Sequence, residues 1–137
     1  MKIVIVDDHA VVRHGLQSAI QSHGYEVVAV AGSINEAKSF MAQTNPDAIF
    51  VDINLPDGSG YELVSWARKV SPTIAIVVLT LNDGADYVRA AKGAGANAFI
   101  VKSAPLSDLL AALDLALSSQ SLFSSKSVSP LAIDSGL

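Results

Sequence analysis

Five residues of this 137-residue chain carry side chains suited to joint chemistry, and each directly follows an apolar run. Asp7 and Asp8 follow Ile3-Val4-Ile5-Val6, Asp52 follows Ala48-Ile49-Phe50-Val51, Thr80 follows Ile74 to Leu79, and Lys102 follows Ala98-Phe99-Ile100-Val101. Carboxylates brought close together repel, so one must protonate or a cation must lie between them. The donors in this set of three carboxylates are all oxygens, which favours Mg2+ or Mn2+ over zinc. Mg2+ keeps part of its water and commonly shares its shell with a phosphoryl group. A lysine ammonium and a threonine hydroxyl suit the remaining phosphoryl oxygens, as point charge and as donor. Lys102 offsets one of the three negative charges and a divalent cation offsets the other two. Such a site accepts a dianionic phosphoryl group without a large excess of negative charge. Taken singly, each residue has a plainer reading. Asp7-Asp8 can cap a helix, Asp52 can form a turn, Thr80 can cap the next helix, and Lys102 can be a solvated strand end. The four placements together are what make the set specific.

The elements that must position these residues alternate between short apolar runs and longer helical periods. Ile3 to Val6 is a continuous apolar run, as for a strand covered on both faces. Val12, Leu16, Ala19 and Ile20 mark one face of a helix that Gly24 stops. Tyr25 to Val30 reads as a second strand. Ser33-Ile34-Asn35-Glu36 reads as a capping box for a helix that ends near Thr44, because Pro46 restricts Asn45. Asp47 to Val51 is a third strand, and Asp52 to Gly60 is a loop by composition. Leu63, Val64 and Ala67 belong to a third helix. Ile74 to Leu79 is a fourth strand, and a weaker fourth helix runs from about Gly84 to Ala94. After Gly95 and Asn97 comes a fifth strand, Ala98 to Val101, and a fifth helix begins near Pro105. Parallel strands joined by helices use right-handed crossovers, so five β-α units predict a doubly wound α/β sandwich. Ligands of such sheets bind outside the carboxyl ends of the strands, where the strand order reverses. All five singled-out residues fall on that edge.

Composition closes off several other classes of function. Half of the residues are apolar and 16% are charged, which excludes a disordered chain. The chain has no cysteine, so disulfide frameworks and cysteine-based zinc sites are excluded. The net charge of −4 argues against nucleic-acid binding by bulk electrostatics. No apolar run approaches the roughly 18 residues of a membrane span, and the apolar N-terminus is too short for a signal peptide. A cytoplasmic protein with no membrane partner is the expectation. After Ser118 the sequence turns serine-rich and aperiodic, so residues 1–118 are expected to form the domain and 119–137 a linker or tail.

Over residues 1 to about 118 the sequence resembles the CheY-like receiver domains of two-component response regulators. The resemblance rests on Asp7-Asp8, on Asp52 with Asn54-Leu55-Pro56-Asp57-Gly58, on Thr80 and on Lys102. Val6 to Leu16 and Ala94 to Ser103 are most similar to the NarL/LuxR-type subfamily. The resemblance implies a five-stranded sheet of order 2-1-3-4-5 in a three-layer α/β/α sandwich. It implies Asp52 as the acceptor of a phosphoryl group from a sensor histidine kinase, with Mg2+ as cofactor. Asp7, Asp8, Asp52 and the backbone carbonyl of Asn54 would hold the metal, and Thr80 and Lys102 would meet the phosphoryl group. Thr80 and Phe99 would form the switch. It further implies a homodimer on activation, and DNA contact only through a helix-turn-helix output domain absent from this sequence. The domain would catalyse nothing beyond its own phosphotransfer and dephosphorylation.

Three positions depart from the common family pattern. Leu81 follows Thr80 where a small residue is usual; it either narrows access to Asp52 or turns into the core. Ser103 stands where many receivers carry a cis proline, and Phe99 replaces a tyrosine. His9 is expected at the helix N-terminus with its ring directed away from the acidic pair, and His14 and His23 on helix surfaces. Trp66 and Tyr87 are expected in core or edge packing. Alternatives are a stand-alone receiver, a degenerate receiver acting through protein contacts, and a Mg2+-dependent phosphatase with an aspartate nucleophile. The last needs a second aspartate two residues after Asp52 as general acid, and position 54 is asparagine.

Overall fold

The computed structural model describes residues 1–82 and 84–118, and the backbone of 124–126. In chain order the elements are β1 (Lys2–Val6), α1 (Ala10–Ser22), β2 (Glu26–Ala31), α2 (Ile34–Thr44), β3 (Ala48–Asp52), β4 (Asn54–Leu55) and β5 (Gly58–Ser59). Then follow α3 (Gly60–Val70), β6 (Ala75–Thr80), α4 (Ala85–Ala94), β7 (Ala98–Val101), α5 (Leu106–Ser118) and β8 (Ser124–Lys126). The main sheet has the order β2-β1-β3-β6-β7-β8, and its pairings are all parallel. The five expected strands therefore stand in the expected order. The short β4 and β5 form a separate antiparallel hairpin within the segment read as a loop. Within 119–137, Ser124–Lys126 add a short strand at the β7 edge, and the rest of that segment lies outside the described residues.

Alternation along the strands builds two apolar layers. Val4, Val6, Ile49, Val51, Ile76, Val78 and Phe99 face one way and pack with residues of α2, α3 and α4. Ile3, Ile5, Phe50, Val77, Leu79 and Ile100 face the other way, against Leu16 and Ile20 of α1 and Leu109, Ala112 and Leu113 of α5. Strands covered on both faces have no polar side to show, which is why their sequences read as continuous apolar runs. The helix α4 is the least embedded, with Ala91 its single buried residue.

Local chemistry sets the helix ends. Ser33 Oγ accepts from the amide of Glu36, as a capping box requires, but the Glu36 carboxylate reaches the amide of Gly32 rather than that of Ser33. The exposed amides this leaves on α2 are met from a distance: Asp57 accepts from the amides of Ile34 (2.8 Å) and Asn35 (3.1 Å). Those bonds hold the Asp57 carboxyl below its usual pKa and tie the β4–β5 hairpin to α2. Asn45 closes α2 in the left-handed region, and Gly95 does the same for α4.

Asn97, which the sequence presents as simple punctuation, is a buried structural joint. Its Oδ1 accepts from the amide of Ile76 (2.8 Å) and from Arg68 Nη2 (2.8 Å). Arg68 also donates to the carbonyls of Gly95 and Pro72, so one guanidinium joins α3 to the turns before β6 and β7. Burial of this guanidinium lowers its pKa. Asn97→Ala leaves a buried amide without an acceptor, at a cost of about 2 kcal/mol. Urea unfolding reads this as a lower midpoint at an unchanged slope; an unchanged midpoint would mean that water replaces the side chain.

On the opposite face of the sheet, Asp114 of α5 accepts from the Tyr25 hydroxyl and lies 2.9 Å from His23 Nε2. His23 is thus bound to α5 rather than being a plain surface residue. The same hydrogen bond pushes the Tyr25 pKa up to about 12. Trp66 is half-buried on α3 with Lys38 Nζ over its ring, and Tyr87 is 40% exposed with its carbonyl bonded to the Tyr61 hydroxyl.

Candidate functional site

Strand register brings the singled-out residues to one edge. Val6 pairs with Val51, which sets Asp7 beside Asp52 one residue further along. Asp52 pairs with Leu79 and Thr80 with Val101, so Thr80 and Lys102 follow in a staggered line. Backbone bonds hold the line, from the Lys102 amide to the Thr80 carbonyl (2.7 Å) and from the Ile53 amide to the Leu79 carbonyl (3.1 Å). β1 lies between β2 and β3, so the chain leaves it toward β2 and returns on its other side. This is the topological switch point, and Asp7 and Asp52 stand on its two strands.

The charges there are buried and close. Asp7, Asp52 and Thr80 are at most 1% exposed, while Asp8 opens to solvent. Lys102 Nζ donates to Asp52 Oδ2 at 2.8 Å and lies 3.0 Å from Asp7 Oδ2. Asp52 Oδ1 accepts from the amide of Asn54 at 3.0 Å. Desolvation raises the Asp52 pKa; the Lys102 and Asn54 hydrogen bonds oppose the rise, and the charge of Asp7 adds to it. Asp7 Oδ2 is buried and accepts no hydrogen bond, although the Lys102 ammonium stands 3.0 Å from it as a counter-charge. A buried carboxylate oxygen with no hydrogen bond, in a group whose donor atoms lie within 4.8 Å of those of two other carboxylates, suits a cation site. Asp7, Asp8 and Asp52 therefore fit a hard divalent ion.

Thr80 Oγ1 accepts from the amide of Asn82 at 3.0 Å, which leaves its hydroxyl hydrogen available to a ligand. Phe99 is fully buried in the layer beneath α3 and α4. Leu81 is 65% exposed, so of its two readings the turn into the core does not hold. No cis peptide occurs among the described residues, Ser103 included.

Two residues gain importance that the sequence reading did not give them. The His9 ring, expected to point away, is turned into the cluster. Its Nδ1 lies 3.0 Å from Asp7 Oδ1, 3.3 Å from Asp8 Oδ1 and 3.6 Å from Asp52 Oδ2. The reason is local: His9 is the N-cap of α1 with extended backbone, and Asp7 Oδ1 accepts its amide at 2.8 Å, which folds the residue back over the strand end. Its position directly after two aspartates was the available signal. Gly60 is the second. A Cβ there would lie 2.2 Å from the Asp52 carbonyl oxygen, and its amide donates to the Ile53 carbonyl. So α3 can start against the Asp52 backbone only without a side chain.

A doubly wound sheet with this edge is the CheY-like receiver fold. The protein-family model described as the response regulator receiver domain matches residues 3–114. The transcriptional regulatory protein PdtaR of Mycobacterium tuberculosis is 34% identical over 119 residues, covering 85% of this chain and 57% of that protein. The oxygen regulatory protein NreC of Staphylococcus haemolyticus is 37% identical over 115 residues, covering 82% and 53%. The chain spans about half the length of the curated relatives it matches. Among solved structures, a LuxR-family two-component response regulator from Aurantimonas sp. SI85-9A1 aligns with a TM-score of 0.83 at 30% identity, covering 96% of this chain and 91% of that one. A CheY-like receiver domain protein from Methanospirillum hungatei JF-1 aligns with a TM-score of 0.80 at 28% identity, covering 88% and 95%. The chain belongs to the response regulator receiver domain family. Its neighbours include LuxR-family regulators, in keeping with the NarL/LuxR-type motifs, and it is a signalling domain rather than a classical enzyme. No helix among the described residues is long and apolar enough to cross a membrane.

Proposed function

We propose that this domain is a phosphorylation-controlled switch with Asp52 as phosphoacceptor. An Asp52 carboxylate oxygen attacks the phosphorus of a phosphohistidine on a sensor kinase. The phosphorus–nitrogen bond breaks, an acyl phosphate forms, and the departing imidazole keeps the electron pair and takes up a proton. The observation that carries this is the buried Asp52 carboxylate at a strand end, held at 2.8 Å by Lys102 and flanked by Asp7. Asp7, Asp8, Asp52 and the Asn54 carbonyl would hold Mg2+, which when bound neutralises charge on the transferring phosphoryl oxygens. Lys102 pairs with the new phosphoryl group, and Thr80 donates its hydroxyl hydrogen to it.

The output follows from packing. Drawing Thr80 toward the phosphoryl group opens space beside the strand end, into which Phe99 repacks. The face of α4, β7 and α5 changes shape, and the population shifts toward the signalling state. That α4 is weakly embedded supports this. In the whole protein the output is transcription, through a helix-turn-helix domain C-terminal to this segment and a homodimer on activation. The regulators it resembles, of which it matches little more than half, support that reading.

Intact-protein mass spectrometry after incubation with acetyl phosphate and Mg2+ tests the chemistry. The expected result is a gain of one phosphoryl group that EDTA prevents and Asp52→Asn abolishes. A gain that survives Asp52→Asn would remove Asp52 from the acceptor role.

A further inference from the structure

His9 stands within the cluster, and its ring nitrogen has the spacing of a ligand. Two ligand atoms each about 2.1 Å from an ion lie about 3.0 Å apart at a right angle and about 3.4 Å apart at the tetrahedral angle. The distances from His9 Nδ1 to the Asp7 and Asp8 oxygens, 3.0 and 3.3 Å, fall in this range, and the 3.6 Å to Asp52 lies just above it. One donor atom from each of the four residues lies within 4.8 Å of the others. Lys102 Nζ, 2.9 Å from His9 Nδ1, shares the same ground, so two nitrogens occupy the space among three carboxylates. The buried Asp7 Oδ2 accepts no hydrogen bond and has only the Lys102 ammonium beside it, so it can serve a ligand there.

We propose that His9 Nδ1 is a fourth protein donor to the cation, and that it makes the site prefer imidazole-binding divalent metals such as Ni2+ over Mg2+. The proposal rests on the reading of the acidic cluster as a cation site. Mg2+ favours oxygen ligands and gains little from a ring nitrogen. Ni2+ binds imidazole well and stands near the top of the divalent affinity order. His9 makes no side-chain cap bond to α1, and half of its side chain is open to water; the groups that engage its Nδ1 are Asp7 Oδ1 and the Lys102 ammonium, both in the cluster itself.

The test is isothermal titration calorimetry of the 137-residue chain with MgCl2 and, separately, NiCl2. The proteins are wild type, His9→Ala, His9→Gln and Asp52→Asn. Both His9 variants are expected to weaken Ni2+ binding by roughly tenfold or more while changing Mg2+ binding by less than about threefold. Asp52→Asn is expected to weaken both metals. If the His9 variants leave Ni2+ binding unchanged, or weaken Mg2+ as much as Ni2+, the proposal is overturned while the phosphoacceptor reading stands. Ni2+ binding that His9→Ala removes but Asp52→Asn leaves intact also overturns it, because the metal then sits outside the cluster. Absence of binding by either metal to wild type takes down the cation site itself, and the proposal with it. Phosphorylation by acetyl phosphate then reports separately on Asp52.

Discussion

Lys102→Ala is expected to lose about 3 kcal/mol of stability near neutral pH when no divalent metal is present, which is about 10 °C in melting temperature for a domain of this size. The substitution takes the ammonium from between Asp7 and Asp52, both buried, and leaves two carboxylates facing each other. The loss should depend on pH, with a definite sign. The Asp52 pKa is already raised by burial, against the pull of Lys102. Without Lys102 it rises further. A carboxyl whose folded pKa lies above its unfolded value binds more protons when folded. Stability therefore falls as pH rises from the ordinary carboxylate range through the raised pKa, and levels off above it. The variant should show a deeper fall over a wider range than wild type, in urea titrations at a series of pH values. Adding Asp52→Asn should flatten it, and Mg2+ should restore part of the loss by binding the folded state. A variant as stable as wild type at every pH, and indifferent to Mg2+, would mean that Lys102 is not the counter-charge of this edge.

Gly60→Ala has the second large effect. Its Cβ would meet the Asp52 carbonyl oxygen at 2.2 Å and the Ile53 Cα at 2.7 Å, both backbone atoms that cannot rotate aside. The clash moves either the first turn of α3 or the end of β3. The cost is about 3 kcal/mol, at the upper end of ordinary overpacking. The functional effect should exceed what stability alone explains, because the displaced atoms carry Asp52. At a temperature where the variant is still folded, phosphorylation by acetyl phosphate should be slowed more than tenfold, as for other small misplacements of a reacting group. Gly58 serves as the comparison. It is also glycine, with φ +151°, but an added Cβ there meets the Ile34 side-chain tip rather than backbone. Normal phosphorylation of folded Gly60→Ala would show that β3 holds its end independently of α3.

These residues show the two ways in which a site is encoded. Asp52, Thr80 and Lys102 are legible because each ends a buried strand, and a polar residue at the end of an apolar run stands out. The sequence places them on one edge because parallel strands share a direction. Their mutual distances come from the stagger between neighbouring strands, Asp52 with Leu79 and then Thr80 with Val101. That stagger depends on side-chain fit between layers, which periodicity does not carry.

Gly60, Asn97 and Asp57 were present in the sequence without a legible role. The Gly60 requirement comes from a backbone approach between α3 and the end of β3. Asn97 reaches an amide 21 residues back, and Asp57 caps a helix that begins 23 residues earlier. Polar groups left over by local structure must find partners, and the partner is whichever group the fold delivers.

Alone, the sequence determined the β-α alternation, the doubly wound sheet and the carboxylate, hydroxyl and ammonium set at its edge. These follow from local rules: apolar runs become buried strands, 3.6-residue periods become helices, and turn residues separate them. That Leu81 faces solvent, that His9 turns inward and that Asp7 keeps an oxygen without a hydrogen bond came from the packing of elements distant in the chain. A side chain's direction at the end of an element depends on competition among distant neighbours for the same few cubic ångströms, and no window of sequence contains all the competitors.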